Sequence, residues 1–582
     1  MRLRSVVLVP FFAASALAMH CGGTTALQTT SPEGGSPGEG GVSVVDDAGV
    51  KNPDAIGATT SSKVDLLLVV DNSASMGDKS KLLGSSLSPL LKKVAEAGDV
   101  HFGVINTSLG SMGGDVCAST GSQNSLAHLS TVGPGSAPLA SAAQGFLSYG
   151  GGGSANIDTF IADATTLVNG VGESGCGLEA QLESAYRFLV QPDPWQTVTL
   201  SATNVAQLDG VDATLLGQRK AFLRPDSLVV VVMITDEDDS TADPRSVGGQ
   251  GWAFMNSQFP GSPVFRADGK TTTAPRGTSA CASNPGSPDC TSCGFAATCN
   301  PADASCQKIK NDAECQKNGG YYGPTEEQLN VRFHRMKERF GVDPQFPISR
   351  YVDGFTKAMV PDRSGEHTEV GTVVGPYLGT PKCTNPLFAA SLPGKAGDEL
   401  CNLPAGPRGK DLVVFAVLGG VPNQLVGASP NWNAILGTDP ESFDFTGLDL
   451  HMLQSVVARA SLPAASTTRG DNGTDPIHGR EWNTGSNDLQ FACTFELPVP
   501  RTCTNAESSC DCADPPKNPP LCGAALGQQI KAKAYPTPRE LLVVRKLGDR
   551  GIAGSICPTS AASGYEGTMS TLAARLTPHI TK

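Results

Sequence analysis

A short apolar run that ends abruptly in polar residues constrains the fold of this chain more than any other stretch. The run is Val64–Val70, and Asp71, Ser73 and Ser75 follow it at alternate positions. A continuous run rich in aliphatic residues is typical of a strand that is buried on both faces, as in a parallel sheet. Open α/β sheets bind ligands at the carboxyl ends of such strands. One carboxylate and two hydroxyls there offer hard oxygen ligands for a divalent cation.

A second apolar run, Ser227–Ile234, also ends in an acid, Asp236. Between the two runs, leucines at helical spacing predict a helix over Lys79–Ala97, and Val100–Ile105 is typical of a further strand. Strands that alternate with helices indicate a parallel sheet. Because parallel strands place their carboxyl ends on one edge, we expect Asp71 and Asp236 to lie close together.

The second half of the chain adds candidates for the same sheet. Asp411–Leu418 is a third apolar run, and Glu540–Arg545 is interpreted as the last strand. Helices are predicted over Thr325–Phe340 and His451–Ala460. The predicted fold class is α/β: a doubly wound, mostly parallel sheet flanked by helices, with core strands near 64–70, 100–105, 227–234, 411–418 and 540–545. We expect this domain to span 61–582, with disulfide-rich insertions at about 240–320 and 480–535.

The string Asp71-Asn72-Ser73-Ala74-Ser75 after a buried strand resembles the metal-ion-dependent adhesion motif of von Willebrand factor type A domains. The resemblance implies that Ser174, in a glycine-rich turn before a helix predicted over Leu178–Val190, supplies a hydroxyl where the family has threonine. It also implies that Asp236 completes the shell, often through water, and that one coordination position stays open for an acidic side chain of a partner. The implied metal ligands are Asp71, Ser73, Ser75, Ser174 and Asp236.

Simpler roles are open for the same residues. The Asp or Ser of such a string can cap the following helix, and Ser174 can be a turn residue. Glu237, Asp238 and Asp239 follow Asp236 directly, and we expect them to form a solvated acidic loop rather than a second metal site. The sequence does not choose between Mg²⁺, Mn²⁺ and Ca²⁺, although Mg²⁺ is the ion that we favour.

Seventeen cysteines in a chain with an export signal indicate an oxidising compartment and disulfide bonds. Cys21 stands apart, and the other sixteen form four groups, each even in number, so that complete pairing within groups is possible. Cys290 and Cys293 have the spacing of half a zinc site, but no second such pair or nearby histidine completes it. The disulfide candidates are Cys117 and Cys176; Cys281, Cys290, Cys293, Cys299, Cys306 and Cys315; Cys383 and Cys401; and Cys493, Cys503, Cys510, Cys512, Cys522 and Cys557.

The amino terminus has the layout of a secretory signal. Two arginines precede the apolar stretch Val6–Ala18, which is short for a membrane span. Two processing routes are open: cleavage before Met19, or lipidation of Cys21 as in bacterial lipoproteins. We predict a signal peptide over 1–20 and a flexible Gly/Ser/Thr/Pro-rich tether over 21–60. The expected location is the bacterial outer membrane or cell surface through a lipid on Cys21, and otherwise the periplasm or the medium.

Charge and motifs exclude several classes of function. The net charge of -13 argues against a nucleic-acid partner. The sequence contains no HExxH and no phosphate-binding loop, so we predict that the protein is not an enzyme. The eight histidines are scattered, and we expect His367, His451 and His478 to be surface or capping residues.

The resemblance therefore implies an envelope-anchored adhesion module that binds a protein or matrix partner through a divalent cation. We expect its only contact with the membrane to be the lipid anchor. Two other functions stay open. The sheet could be a structural or assembly scaffold whose cysteine-rich insertions do the binding. The chain could also be an envelope hydrolase that has no recognisable motif.

Overall fold

The structure is a computed structural model that describes most of the chain after residue 58. The described residues are 59–257, 274–323, 326–370, 373–426, 429–503, 510–513, 517–560 and 564–581. All described residues belong to the second of the chain's two units, Pro53–Lys582. The predictions for the signal peptide, for most of the tether and for Cys21 fall outside the described residues.

Six strands of the second unit form one mixed sheet. Across the sheet the order is β6-β5-β4-β1-β2-β3, and neighbouring strands are parallel except β2 and β3, which are antiparallel. Every residue of β1, β4 and β5 is buried, as expected for continuous apolar strands covered on both faces. In chain order the strands are β1 (Val64–Val70), β2 (Asp99–Asn106), β3 (Phe146–Gly150), β4 (Leu228–Ile234), β5 (Val413–Gly419) and β6 (Gly551–Ser555).

Helices flank this sheet, which confirms the α/β architecture. They form two groups whose members pack against one another, α1, α2, α3 and α16 in one group and α4, α5, α11, α14 and α15 in the other. The helices are α1 (Gly77–Ser86), α2 (Ser88–Val94), α3 (Ile157–Asn169), α4 (Gln181–Leu189), α5 (Ala213–Phe222), α6 (Ser246–Gly249), α7 (Ala280–Ser283), α8 (Ala304–Asn311), α9 (Ala313–Gln316), α10 (Met336–Phe340), α11 (Ile348–Gly354), α12 (Arg363–Glu366), α13 (Asn423–Val426), α14 (Trp432–Leu436), α15 (Pro538–Leu547) and α16 (Glu566–Leu576).

The register of the sheet aligns the two strands that end in acids. Val70 of β1 lies opposite Ile234 of β4. Just beyond the ladder, the main-chain N–H of Asp71 donates to the carbonyl of Ile234, with an N···O distance of 3.0 Å. Asp71 and Thr235 therefore leave the sheet side by side, and Asp236 follows one residue later.

Glu540–Arg545 is not a strand, contrary to the prediction, but the middle of α15. A run of four apolar residues has the same pattern in a buried helix as in a buried strand. Leu541, Val543 and Val544 are all buried, because α15 packs between the sheet and the neighbouring helices. The last strand of the sheet is β6, which follows a few residues later.

Two predicted helices are also wrong over most of their length. In the described part of Thr325–Phe340, only the 3₁₀ turn Leu329–Val331 and the short α10 are helical. Arg335 separates them, with a φ of 46° that no right-handed helix accommodates. Within His451–Ala460, helical structure is limited to the end of a 3₁₀ turn, Leu450–Met452.

The sixteen cysteines among the described residues form eight disulfide bonds, and each bond stays within one of the four groups, which confirms local pairing. Cys290 and Cys293 have different partners and do not form half of a zinc site. So many disulfides indicate an oxidising, exported environment. Among the described residues, no helix is long and apolar enough to cross a bilayer. The pairs are Cys117–Cys176, Cys281–Cys290, Cys293–Cys315, Cys299–Cys306, Cys383–Cys401, Cys493–Cys557, Cys503–Cys510 and Cys512–Cys522.

The second predicted insertion contains a two-stranded antiparallel ribbon. Its strands are Cys493–Thr502 and Gln528–Ala534. Directly after the ribbon, the main-chain N–H of Tyr535 donates to the carbonyl of Asp236, with an N···O distance of 2.8 Å. The ribbon is therefore attached beside the carboxyl edge of the sheet.

Candidate metal centre

Asp71 is fully buried at the end of β1, and two hydrogen bonds fix its carboxylate. The main-chain N–H of Ser73 donates to Oδ1 at 2.7 Å, and the hydroxyl of Thr235 donates to Oδ2 at 2.7 Å. The two strand ends therefore hold this carboxylate jointly. Burial, followed by the negative charge of Asp236, raises the pKa of Asp71 to about 6.

The two serine hydroxyls of the motif lie next to Asp236. Ser73 Oγ and Ser75 Oγ are 3.4 Å apart. The Ser75 hydroxyl reaches the two Asp236 oxygens at 2.9 and 2.8 Å. Ser73 occupies the N-cap position of a 3₁₀ turn, yet its side chain makes no capping hydrogen bond. The simple capping role is therefore not the one that Ser73 adopts, and its hydroxyl faces Ser75 and the acids.

A buried lysine also belongs to this cluster. The Lys79 ammonium lies 2.7 Å from Asp236 Oδ2 and donates to the main-chain carbonyl of Ser75 at 2.9 Å. From the sequence, Lys79 was predicted only as the first residue of a helix. Its position four residues after Ser75, on the helix that follows the motif, is the signal that could have placed it here, because residues at this spacing lie on one helix face.

Ser174 lies in a turn beside the cluster, but its hydroxyl makes no hydrogen bond among the described residues. The residue is exposed, and its main-chain carbonyl accepts from the Ser122 hydroxyl at 2.7 Å. The next residue, Gly175, donates through its N–H to the Asn72 carbonyl at 2.8 Å. A Cβ on Gly175 would lie 2.5 Å from the Asn72 side chain, so the turn requires glycine for this approach. The role of Ser174 as a ligand stays a prediction.

Two further carboxylates, those of Glu179 and Glu237, adjoin the cluster. Glu179 is fully buried, and neither of its carboxylate oxygens has a hydrogen-bond donor among the described residues. Burial, with the charges of Glu237 and Asp71, raises the pKa of Glu179 well above its ordinary value. Burial, with the charges of Asp236 and Asp71, raises the pKa of Glu237 to about 8. Glu179 precedes α4 within a mainly apolar stretch and was not among the predicted site residues.

The expectation of a solvated acidic loop after Asp236 is wrong. Glu237 and Asp238 are half-buried and Asp239 is fully buried. Asp238 accepts from the main-chain N–H of Arg539 at 2.9 Å, and Asp239 lies 3.4 Å from the Arg539 guanidinium. The four consecutive acids therefore have two environments. Asp236 and Glu237 lie on the side of Asp71, and Asp238 and Asp239 contact Arg539.

The donor chemistry of the cluster fits a divalent cation of the Mg²⁺ type. Its atoms are carboxylate and hydroxyl oxygens, which such ions prefer. Two buried ammonium groups, Lys79 and Lys533, face four carboxylates, those of Asp71, Glu179, Asp236 and Glu237. These acids outnumber the ammonium groups, and the raised pKa values of Glu179 and Glu237 favour their protonated forms, because unbalanced buried charge is costly; a divalent cation would stabilise the ionised forms instead. Asp71, Ser73, Ser75 and Asp236 are the residues that would hold the ion.

Comparisons with protein-family models, with curated proteins and with solved structures find no match.

Three histidines expected at the surface are buried instead. His367, His451 and His478 are 3%, 6% and 0% exposed. His367 is fully partnered, because its Nε2 lies 2.8 Å from Asp243 Oδ2 and its Nδ1 lies 2.9 Å from the carbonyl of Gly375. His451 and His478 face each other across a single aspartate, a cluster that lies outside the sheet.

Proposed function

We propose that this chain is an exported binding protein of the von Willebrand factor type A kind. In this proposal a divalent cation, with Mg²⁺ favoured, is held by Asp71, Ser73, Ser75 and Asp236 at the carboxyl edge of the sheet. The protein would bind an acidic side chain of a protein or matrix partner there, and a lipid on Cys21 would anchor it to the bacterial envelope. The convergence of the Ser75 hydroxyl on Asp236, 161 residues away in the sequence, is the observation that carries the proposal.

The order of the strands supports a doubly wound sheet and the position of its ligand site. Counted along the chain, the strands lie in the order 3-2-1-4-5-6 across the sheet, with β1 beside β4 at the centre. In doubly wound sheets of this order, ligands bind outside the carboxyl ends of the two central strands, where the winding reverses. Asp71 follows β1 directly, and Asp236 follows β4 after one residue.

The residues of the cluster have separable roles in this proposal. Asp71, fixed by Ser73 and Thr235, is the carboxylate that would bind the ion directly. Ser73 and Ser75 add neutral oxygens, so the ligands do not cancel the charge of the ion. A bound ion would supply residual positive charge and one coordination position that a partner carboxylate can fill. Lys79 provides positive charge to Asp236 from within the chain and competes with the ion for that carboxylate.

The exposed loops beside the cluster give the partner a route to it. Gly172–Ser174 is exposed, and Ser122, also exposed, is bonded to the Ser174 carbonyl. Asn72 holds both loops, because its side-chain amide donates to the Ser122 carbonyl at 3.2 Å and its own carbonyl accepts from Gly175. The partner would therefore approach over these two loops.

Calorimetric titration of the chelator-treated full chain with Mg²⁺ and with Mn²⁺ tests the metal site. Asp71→Asn and Ser75→Ala remove one oxygen ligand each with little change in volume, and we expect Mg²⁺ affinity to fall about 100-fold for Asp71→Asn, or about 2.8 kcal/mol. Ser85→Ala is the matched control, because Ser85 is exposed on α1 and its hydroxyl donates only to the Leu82 carbonyl. Unchanged Mg²⁺ binding by Asp71→Asn would overturn the assignment.

The binding function requires a second measurement. Wild-type and Asp71→Asn proteins are passed over immobilised extracellular matrix proteins with Mg²⁺ and with EDTA. We expect EDTA and Asp71→Asn to abolish the same binding, because both remove the ion that would bridge to the partner. Binding that survives EDTA would favour the scaffold function, in which the cysteine-rich insertions contact the partner. Removal of 281–315 would then locate that surface.

A further inference from the structure

The cluster outside the sheet consists of His451, Asp475 and His478. His451 belongs to the 3₁₀ turn Leu450–Met452. Asp475 and His478 share a tight turn in which Asp475 and Gly479 exchange main-chain hydrogen bonds of 2.8 and 2.9 Å. Both imidazoles are buried, and the Asp475 side chain is 14% exposed. The cluster therefore has one side open to solvent.

Each imidazole is oriented by a carboxylate on its outer nitrogen. His451 Nδ1 lies 2.7 Å from Asp449 Oδ1, and His478 Nε2 lies 2.7 Å from Glu481 Oε1. Glu481 is itself held by the Arg459 guanidinium at 2.7 Å. A carboxylate accepts the proton of the outer nitrogen and leaves a lone pair on the inner nitrogen. Metal-binding histidines are commonly oriented in this way by a carboxylate behind the ring.

The two inner nitrogens both face Asp475. His451 Nε2 lies 3.4 Å from Asp475 Oδ2, and His478 Nδ1 lies 3.2 Å from Asp475 Oδ1. Neither nitrogen makes a hydrogen bond with acceptable geometry among the described residues. The ring planes are nearly perpendicular, at 84°, and the ring centroids are 4.8 Å apart, so the rings do not stack. When both imidazoles are neutral, two lone pairs and a carboxylate therefore meet in a largely buried space.

The Asp475 carboxylate is fixed by its own turn. The main-chain N–H groups of Ile477 and His478 donate to its Oδ1. The N–H donors lie 2.7 and 3.2 Å from Oδ1. A carboxylate opposite two nitrogen lone pairs is an arrangement that a bound cation stabilises.

The spacing of the three donors is that of ligands around one ion. Zinc lies about 2.0–2.2 Å from imidazole nitrogen and carboxylate oxygen, so the ligand atoms of a tetrahedral site are about 3.3–3.5 Å apart. The two nitrogen–oxygen distances are 3.4 and 3.2 Å, and all three ligand atoms lie within 4.8 Å of one another. This arrangement differs from the sheet edge, where all donors are oxygens.

We propose that His451 Nε2, Asp475 and His478 Nδ1 bind one transition-metal ion of the Zn²⁺ class. Imidazole selects such ions over Mg²⁺, which prefers oxygen. Three protein ligands leave a fourth position for water on the exposed side of Asp475. The ion would link the turn at 450–452 to the turn at 475–479, so it would cross-link two segments that precede the cysteine-rich ribbon. This proposal is independent of the function proposed for the sheet edge.

Titration of the full chain with Zn²⁺ and Co²⁺ tests this site. The protein is treated with a chelator, and free thiol is alkylated so that Cys21 does not compete for the metal. We expect one equivalent of Co²⁺ to bind with the visible absorption of a tetrahedral complex, and Zn²⁺ to displace it. His451→Ala and His478→Ala should each weaken binding about 100-fold. Asp475→Asn should weaken it about tenfold, because its amide oxygen still accepts the N–H bonds that form the turn.

Controls separate metal binding from folding. His128→Gln removes an imidazole that also pairs with a carboxylate, Asp212 Oδ2 at 2.8 Å, and should leave binding unchanged. Circular dichroism of the metal-free variants shows whether each is folded. If a histidine variant unfolds, the metal affinity of Asp475→Asn is the deciding measurement. The proposal is overturned if wild-type protein binds neither metal, or if Asp475→Asn and the folded histidine variants bind as wild type does; an imidazolium paired with Asp475 would then account for the cluster.

Discussion

The central sheet and the cysteine-rich segment Cys281–Cys315 are held together in different ways. The six strands of the sheet contain no cysteine, and three of them are buried along their whole length. Cys281–Cys315 has three disulfides, and the only apolar cluster found within its described residues is built around Cys293, Ile309 and Cys315. Apolar burial therefore organises the sheet, whereas covalent cross-links organise the segment.

This difference explains where each region can place functional groups. A strand in a buried sheet is fixed along its length, so residues directly after it, such as Asp71 and Asp236, have positions set by the sheet register. A cross-linked segment with little core is fixed mainly at its disulfides, and its surface between them is free to vary. The sheet edge is thus the better place for a metal site of defined geometry.

The largest expected effect is the loss of apolar contacts in the sheet. Leu68 is fully buried in β1, between Val104 of β2 and Val232 of β4. Leu68→Ala should lower the free energy of unfolding by about 4 kcal/mol, the cost of a cavity in a packed core. Ile309→Ala in the cysteine-rich segment is the matched variant and should cost less than half as much. Urea denaturation measures both, and equal costs would contradict the comparison.

The next effect is the removal of a cross-link from the segment. Cys293 and Cys315 close a loop with a sequence separation of 22, and the chain-entropy model assigns such a bond about 3 kcal/mol. Replacing both by alanine should speed amide hydrogen exchange in the segment and leave the urea midpoint of the sheet unchanged. The paired control is alanine at Cys493 and Cys557, which should lower that midpoint, because this bond ties the ribbon to the residues after β6.

The contrast between the two regions also decides what could be predicted from the sequence. β1, β4 and β5 were predicted closely, because a continuous apolar run needs no knowledge of distant residues. Glu540–Arg545 was misassigned, since only the packing around α15 distinguishes its run from a strand. In the loops, the hydrophobic periodicity carries no information about the backbone. The interruption of Leu329–Phe340 at Arg335 could therefore not be predicted from the sequence pattern.

The candidate site was predicted in part, because some of its residues directly follow buried strands that the sequence identifies. Asp71, Ser73, Ser75 and Asp236 meet because each follows a strand closely. Lys79 lies on α1, and its spacing from Ser75 places it on the same helix face. Glu179 reaches the cluster from the residues before α4, through a side-chain direction that sequence spacing does not specify. The histidine cluster depends on two loops whose approach is set by tertiary packing, and so no spacing rule could join His451 to His478.

A smaller effect is the dependence of stability on pH that His334 causes. His334 lies near the junction of the cysteine-rich segment with the rest of the unit. At this junction the N–H of Gly277 donates to the Arg339 carbonyl at 2.7 Å. Burial, with the charge of Arg339, lowers the pKa of His334 to about 3. The unfolded chain, with an ordinary histidine pKa of about 6.5, therefore binds more protons between these values, and stability must fall as the pH drops below about 6.5. At about pH 5 the loss should be about 2 kcal/mol.

Urea denaturation of wild-type protein and of His334→Gln at two pH values measures this dependence. The variant should lose the part of the pH dependence that His334 causes. Above about pH 7 the free energies of unfolding of the two proteins should depend on pH in the same way. His128→Gln is the control, because His128 is more exposed and pairs with Asp212. An equal pH dependence in His334→Gln and wild type would show that another group is responsible, and the junction would then not be the acid-sensitive point.

The smallest effect sharpens the comparison at the sheet edge itself. Lys79 neutralises Asp236 at 2.7 Å, so a cation that binds there competes with an ammonium fixed by the fold. Lys79→Met removes this competitor and leaves the carboxylates in surplus, so we expect Mg²⁺ affinity to rise about tenfold, or about 1.4 kcal/mol. Lys92→Met, exposed on α2, should leave the affinity unchanged. Calorimetric titration of the folded variants distinguishes the outcomes. A lower affinity in Lys79→Met would mean that the lysine organises the oxygen ligands instead of opposing the ion. If neither wild-type protein nor Lys79→Met binds Mg²⁺, the sheet edge is a structural ion pair rather than a metal site.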